Sequence, residues 1–161
     1  MKKSIYVERF AEHFPLNGDL LNKILRGHLL VEEVVNDIFK SLLHYPEDLV
    51  GNSGTKFDCH QVICLTSAMY KEGYFSKEIL NHIWLSVKKL NSLRNHLAHN
   101  IPRSEVDHKV DDFVSYVQNN LNISDVKPPR QDSDYPMLYD SILTVHVWLA
   151  ILKDSLSKEE E

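Results

Sequence analysis

Cysteine is scarce in this 161-residue chain, where Cys59 and Cys64 are the only two. Five positions apart, they fall on different faces of any helix, and they found no disulfide framework. With no base expected to activate either thiol, both read as core or near-core residues. Glycine is also sparse, at five residues. The chain holds no glycine-rich phosphate loop, no G-x-S-x-G elbow and no HExxH helix, which removes the common nucleotide-binding, serine-hydrolase and zinc-protease signatures. Long apolar runs are missing too. The most apolar stretch, 137–152, carries Asp140 and His146 and is too short and too polar to cross a bilayer. No charged segment followed by an apolar one opens the chain, so a reduced, cytoplasmic protein without a membrane partner is expected. Basic charge is not in excess. Eighteen Lys and Arg against 23 Asp and Glu leave a net charge of -5, which excludes broad nonspecific attraction to nucleic acid and restricts any such contact to a local site.

What remains is helical period. The length and a hydrophobic content of 43% fit one domain with one core. After Asn17-Gly18-Asp19, the residues Leu21, Leu25, His28, Glu32, Val35, Phe39 and Leu42 form one seam that lasts until Pro46. A loop at 51–54 leads into Thr55-Lys56-Phe57-Asp58, a capping-box-like start for a helix through Phe57, Ile63, Thr66 and Tyr70 that stops near Gly73. Ser76 opens a third long helix, which Pro102 ends near His99 or Asn100. Ser104 caps a fourth with Val106, Val110, Phe113, Val117 and Leu121, and Leu138, Ile142, Val145, Leu149, Leu152 and Leu156 mark a fifth. No stretch alternates as a half-buried strand does. The expectation is an all-α, up-and-down bundle of about five helices in a single domain over 1–161. Within it, 1–17 is an N-terminal extension or short helix, 122–136 a long loop and 157–161 an acidic tail.

Two places break the apolar pattern. On the third helix the stripe runs Leu80, Ile83, Val87, Leu90, Arg94, Leu97, so a guanidinium stands where a leucine belongs, and His99 follows five residues on. A permanent charge on a surface meant for burial requires a counter-charge or an anionic ligand. On the first long helix, His28 and Glu32 occupy successive seam positions as an i, i+4 pair. Electrostatics would bring Glu32 to Arg94, each compensating the other's desolvation.

Arg94, Asn95 and His99 together suit phosphate chemistry. A histidine takes or gives a proton near neutral pH, and an arginine presents two donors to a phosphate. These are the requirements of RNA cleavage by its own 2'-hydroxyl, with His99 as base or acid, Arg94 on the scissile phosphate and Asn95 orienting either; no metal or other cofactor is needed. Residues 94 and 99 differ by about 140° on an ideal helix, so convergence is easiest where two copies of the helix face each other.

The string Leu90-Asn91-Ser92-Leu93-Arg94-Asn95-His96-Leu97-Ala98-His99 resembles the signature of the HEPN superfamily: an arginine, a polar residue and a histidine at a helix end. A weaker similarity links Leu25-Arg26-Gly27-His28-Leu29-Leu30-Val31-Glu32-Glu33 to the branch that includes the mannitol operon repressor. The resemblance implies a HEPN-like bundle and a homodimer with facing motifs. It also implies a metal-independent endoribonuclease acting as a toxin or antiviral effector, with Arg94, His99 and Asn95 as its catalytic set and a cognate antitoxin or regulatory protein as partner. The alternative within the same family is a catalytically silent regulatory or interaction module. His28, Glu32 and His96 are the expected supporting residues, and Lys88 and Arg103 the candidates for guiding RNA, with Lys89, Lys127 and Arg130 as further basic positions. His96 and His99, three apart, have no further Cys or His at ligand spacing and do not amount to a zinc site.

Overall fold

Asp19 accepts a hydrogen bond from the Asn22 backbone N–H at 2.8 Å and so starts α2 (Leu20–Ser41), the first long helix. Ahead of it lies α1 (Ile5–His13), and after it a single 3-10 turn (Pro46–Leu49). The chain continues as α3 (Cys59–Met69), α4 (Lys77–Ala98), α5 (Arg103–Asn120) and α6 (Pro136–Leu156). This computed structural model describes residues 5–15, 17–49, 57–99, 102–121 and 136–158; the expected loops at 51–54 and across 122–135, and the acidic residues 159–161, lie outside them. Among the described residues there are six α-helices and no strand, so the all-α expectation holds, with a short N-terminal helix added to the five longer ones. No described helix is long and apolar enough to cross a membrane.

Local chemistry sets most boundaries. Asp58 and Gln61 form a reciprocal capping box that starts α3, three residues after the expected start at Thr55, and Ser76 caps α4 as its sequence suggests. Helix α5 begins one residue ahead of the expected Ser104 cap. Its N-cap is Pro102, which makes no side-chain capping bond.

The seams of α5 and α6 are buried as the period requires, Val106, Val110, Phe113, Val117 and Leu121 on one and Leu138, Ile142, Val145, Leu149 and Leu152 on the other, with Leu156 at the end of α6 only half-buried. Each such burial contributes on the order of 1.5–3 kcal/mol of transfer free energy. Helix α2 differs from its expected seam. Its buried face holds Ile24, Gly27, His28, Leu30, Val31, Val34, Val35, Ile38 and Phe39, while Leu21 is exposed and Glu32 half-buried. The rotation has a packing cause: α2 runs along α6 on one flank and meets α3 and α4 on another, so two neighbours widen its apolar face. Gly27 marks the closest approach, where a Cβ would stand 2.9 Å from Ile142 Cδ1 and 3.2 Å from Phe14 Cε2. At the other end of the layer, α1 is tied to α2 by Tyr6 donating to Asp37 at 2.9 Å and Arg9 pairing with Glu33 at 2.8 Å.

Candidate functional site

The α4 stripe is buried through Leu80, Ile83, Val87 and Leu90 and then leaves the core: Leu97 is half-buried, and Arg94, Ala98 and His99 are exposed. The guanidinium therefore does not sit on a buried surface as its register suggested. A long side chain at the end of a packed stripe can turn its charge outward and keep its stem against the protein, which avoids the desolvation cost. Arg94 Nη1 donates to Asn95 Oδ1 at 3.0 Å. The expected ion pair with Glu32 is not among those formed by the described residues.

His99 is the C-cap of α4, its φ of −103° and ψ of 20° lying off helical values and its backbone N–H donating to the His96 carbonyl at 3.3 Å. Departure from the helix matters here, because the fixed angle between positions 94 and 99 no longer governs where the His99 ring points. His96 Nδ1 lies 2.7 Å from the Ser92 carbonyl, so the ring donates there and keeps Nε2 as its second nitrogen. On α4, then, Arg94 and Asn95 are joined and His99 follows one turn after Asn95, all within the last two turns.

Behind them the described residues build a polar junction. His28, only 4% exposed, places Nε2 3.0 Å from Oδ1 of the buried Asn91 and Nδ1 3.7 Å from Glu32 Oε2. Burial depresses the His28 pKa and the positive charge of Arg94 depresses it further, against the opposing pull of Glu32 and Asn91. Cys59, the first residue of α3, brings Sγ to 3.6 Å from the same His28 nitrogen. Burial above all, and then Glu32, push its thiol up to about 12, while Arg94 pulls the other way. Arg94 thus acts electrostatically on a junction that it does not bond to. His28, Glu32 and Cys59 each offer a ligand atom within 4.8 Å of the other two, a donor set assembled across α2 and α3 rather than on the histidines of α4.

Sequence reasoning missed Asn91 and Cys59. The first left a legible signal, a polar residue four positions after Val87 and seven after Trp84 on a buried flank. The second left none, since Cys59 meets His28 only through the packing of α3 on α2. Among the guiding cations, Lys88 is half-buried on α4, and Lys89 is bonded to Asp112 at 2.7 Å and lies over the Tyr116 ring. Nothing of the Arg103 side chain, nor of Lys127 and Arg130, falls within the described residues.

No protein-family model matches the chain, and no curated protein or solved structure is significantly similar to it.

Proposed function

We propose that the exposed end of α4 is a metal-independent RNA-cleaving site of the HEPN type. The observation that carries this reading is the exposure of Arg94 beside Asn95, one helical turn or so from the exposed His99. An arginine with a structural duty toward Glu32 would have been drawn inward. Instead, the bond between α2 and α4 is made by His28 and Asn91, and Arg94 faces solvent.

In the proposed reaction the 2'-oxygen attacks the adjacent phosphorus as its proton passes to a general base, and the bond from phosphorus to the 5'-oxygen breaks. The departing oxygen takes up a proton, leaving a 2',3'-cyclic phosphate and a 5'-hydroxyl. His99 serves one of the two proton transfers. Arg94 holds the non-bridging oxygens as their charge builds, with Asn95 setting the guanidinium plane through the bond already present. A homodimer with facing α4 ends would supply a second histidine for the other transfer. The biological role that goes with such activity is a toxin or antiviral effector in the cytoplasm, restrained by a partner protein.

The test is direct. The purified chain is incubated with RNA in EDTA and the products are analysed for 2',3'-cyclic phosphate ends; His99→Ala is expected to lower the rate at least ~100-fold with the fold retained. Cleavage that survives this substitution, or a wild-type protein without cleavage, sinks the proposal and leaves the silent regulatory module.

A further inference from the structure

The junction of α2, α3 and α4 has a chemistry of its own. His28 and Glu32 lie one turn apart on α2, and Cys59 opens α3 opposite them. The 3.6 Å between Cys59 Sγ and His28 Nε2 has two readings: a weak hydrogen bond, or the edge of a coordination shell. A tetrahedral zinc ion, with bonds of about 2.3 Å to sulfur and about 2.0 Å to nitrogen, separates its two ligand atoms by about 3.5 Å. Glu32 supplies the third donor: one ligand atom from each of His28, Glu32 and Cys59 lies within 4.8 Å of the other two, so closing the shell calls for a side-chain adjustment.

We propose that His28 Nε2, Cys59 Sγ and the Glu32 carboxylate bind one zinc ion, with a fourth position taken by water or by Asn91 Oδ1. This goes beyond the cleavage reaction proposed for the α4 end and does not depend on it. The donor set decides the metal class: thiolate and imidazole favour zinc over magnesium or calcium, which prefer all-oxygen shells. Charge also balances, since one carboxylate and one thiolate neutralise a dication in a place where an uncompensated charge would be costly. Cys59 sits at the first position of its helix, where the backbone dipole favours an anionic sulfur. In the metal-free state burial keeps the thiol protonated. Its proton leaves to solvent as the metal–sulfur bond forms, because a coordinating thiol is deprotonated by the ion itself. With Nε2 as ligand, the imidazole proton resides on Nδ1, and Glu32, now 3.7 Å from that nitrogen, turns toward the ion as its third ligand. Access exists, since Cys59 and Glu32 are each half-buried while His28 forms the closed floor.

Cobalt(II) is the probe, as a visible stand-in for zinc. The full chain is stripped with chelator, returned to chelator-free buffer and titrated with cobalt. One equivalent is expected to bind with a thiolate-to-cobalt charge-transfer band and tetrahedral d–d bands, all bleached by zinc. Cys59→Ser should remove the charge-transfer band and weaken zinc binding by at least ~30-fold, and Glu32→Gln should keep the band while weakening binding ~10-fold. Cys64→Ser, which removes the thiol that lies 3.5 Å from His60 on the exposed side of α3, should change nothing. In the unaltered protein, zinc should also slow alkylation of Cys59 relative to Cys64, a reading that needs no variant to fold. The absence of the band, its persistence in Cys59→Ser, its loss in Cys64→Ser, or equal alkylation with and without zinc overturns the proposal. Zinc binding without RNA cleavage would leave this site standing and the cleavage reading rejected; cleavage without zinc binding does the reverse.

Discussion

His28 Nε2 lies 3.0 Å from Asn91 Oδ1, a buried side-chain bond that joins α2 to α4 across 63 residues of sequence. Each side chain satisfies the other in a region where an unpaired polar group carries a full desolvation penalty. The pair therefore positions the end of α4 as well as holding it.

Asn91→Leu should destabilise the protein by about 1–3 kcal/mol, because His28 is left buried without its partner. Combining it with His28→Leu should recover part of that loss, since replacing both partners by apolar groups removes the stranded donor or acceptor. Urea denaturation of the two single variants and the double variant measures the coupling. Additive losses would show that the bond contributes nothing of its own.

Arg94→Ala is expected to change stability by less than about 0.5 kcal/mol, the behaviour of an exposed side chain away from buried networks. On the cleavage reading, the same substitution should lower the rate of RNA cleavage ~100-fold or more, through loss of transition-state charge stabilisation. A large fall in the thermal midpoint, with activity falling only in proportion, would instead make Arg94 a structural residue.

How far the fold and the site could be read from sequence follows from how local each feature is. The seam of α5 was legible because a single stripe, Val106 to Leu121, repeats every three or four residues; that of α6 was legible only in part, since α6 packs on α1, α2, α4 and α5 and buries Ser141, Leu143, Thr144 and His146 beside the expected stripe. Helix α2 was read about a stripe off centre, with Leu21 and Glu32 placed on its buried face, since burial from two flanks blurs the period. The run of Arg94, Asn95 and His99 was visible as a string. Whether Arg94 turned in or out was not, for that depends on where the packing around α4 ends. The contact between Cys59 and His28 depends wholly on how two helices meet.

Gly27→Ala should destabilise the bundle by about 1–2 kcal/mol, although alanine is the better helix former by about 1 kcal/mol. The added methyl would stand 2.9 Å from Ile142 Cδ1, 3.0 Å from Ile142 Cγ2 and 3.2 Å from Phe14, and Ile142 is fully buried, so the strain falls on the core. Ile142→Val in the same chain should return part of the loss by freeing the δ-methyl position. An unaltered or raised unfolding midpoint for Gly27→Ala would mean that α2 and α6 can separate at no cost.

Acid should weaken the protein through His146. This residue is 1% exposed, packs its ring 4.8 Å from that of Phe10, and has its pKa lowered by burial from 6.5 to about 4. The unfolded chain thus binds a proton at higher pH than the folded one, so stability rises with pH between about 4 and 6.5 and is lost as pH falls through that window. The gap corresponds to about 3 kcal/mol in full, of which about 2 kcal/mol should be gone by pH 5. His146→Leu keeps an apolar ring-sized group beside Phe10 and removes the titration. Comparing urea midpoints of wild type and variant at pH 7 and pH 5 isolates this contribution, even though His28, whose pKa burial also lowers, leaves some acid sensitivity in the variant. Equal losses on acidification in the two proteins would show that His146 is already protonated, or solvated, in the folded state.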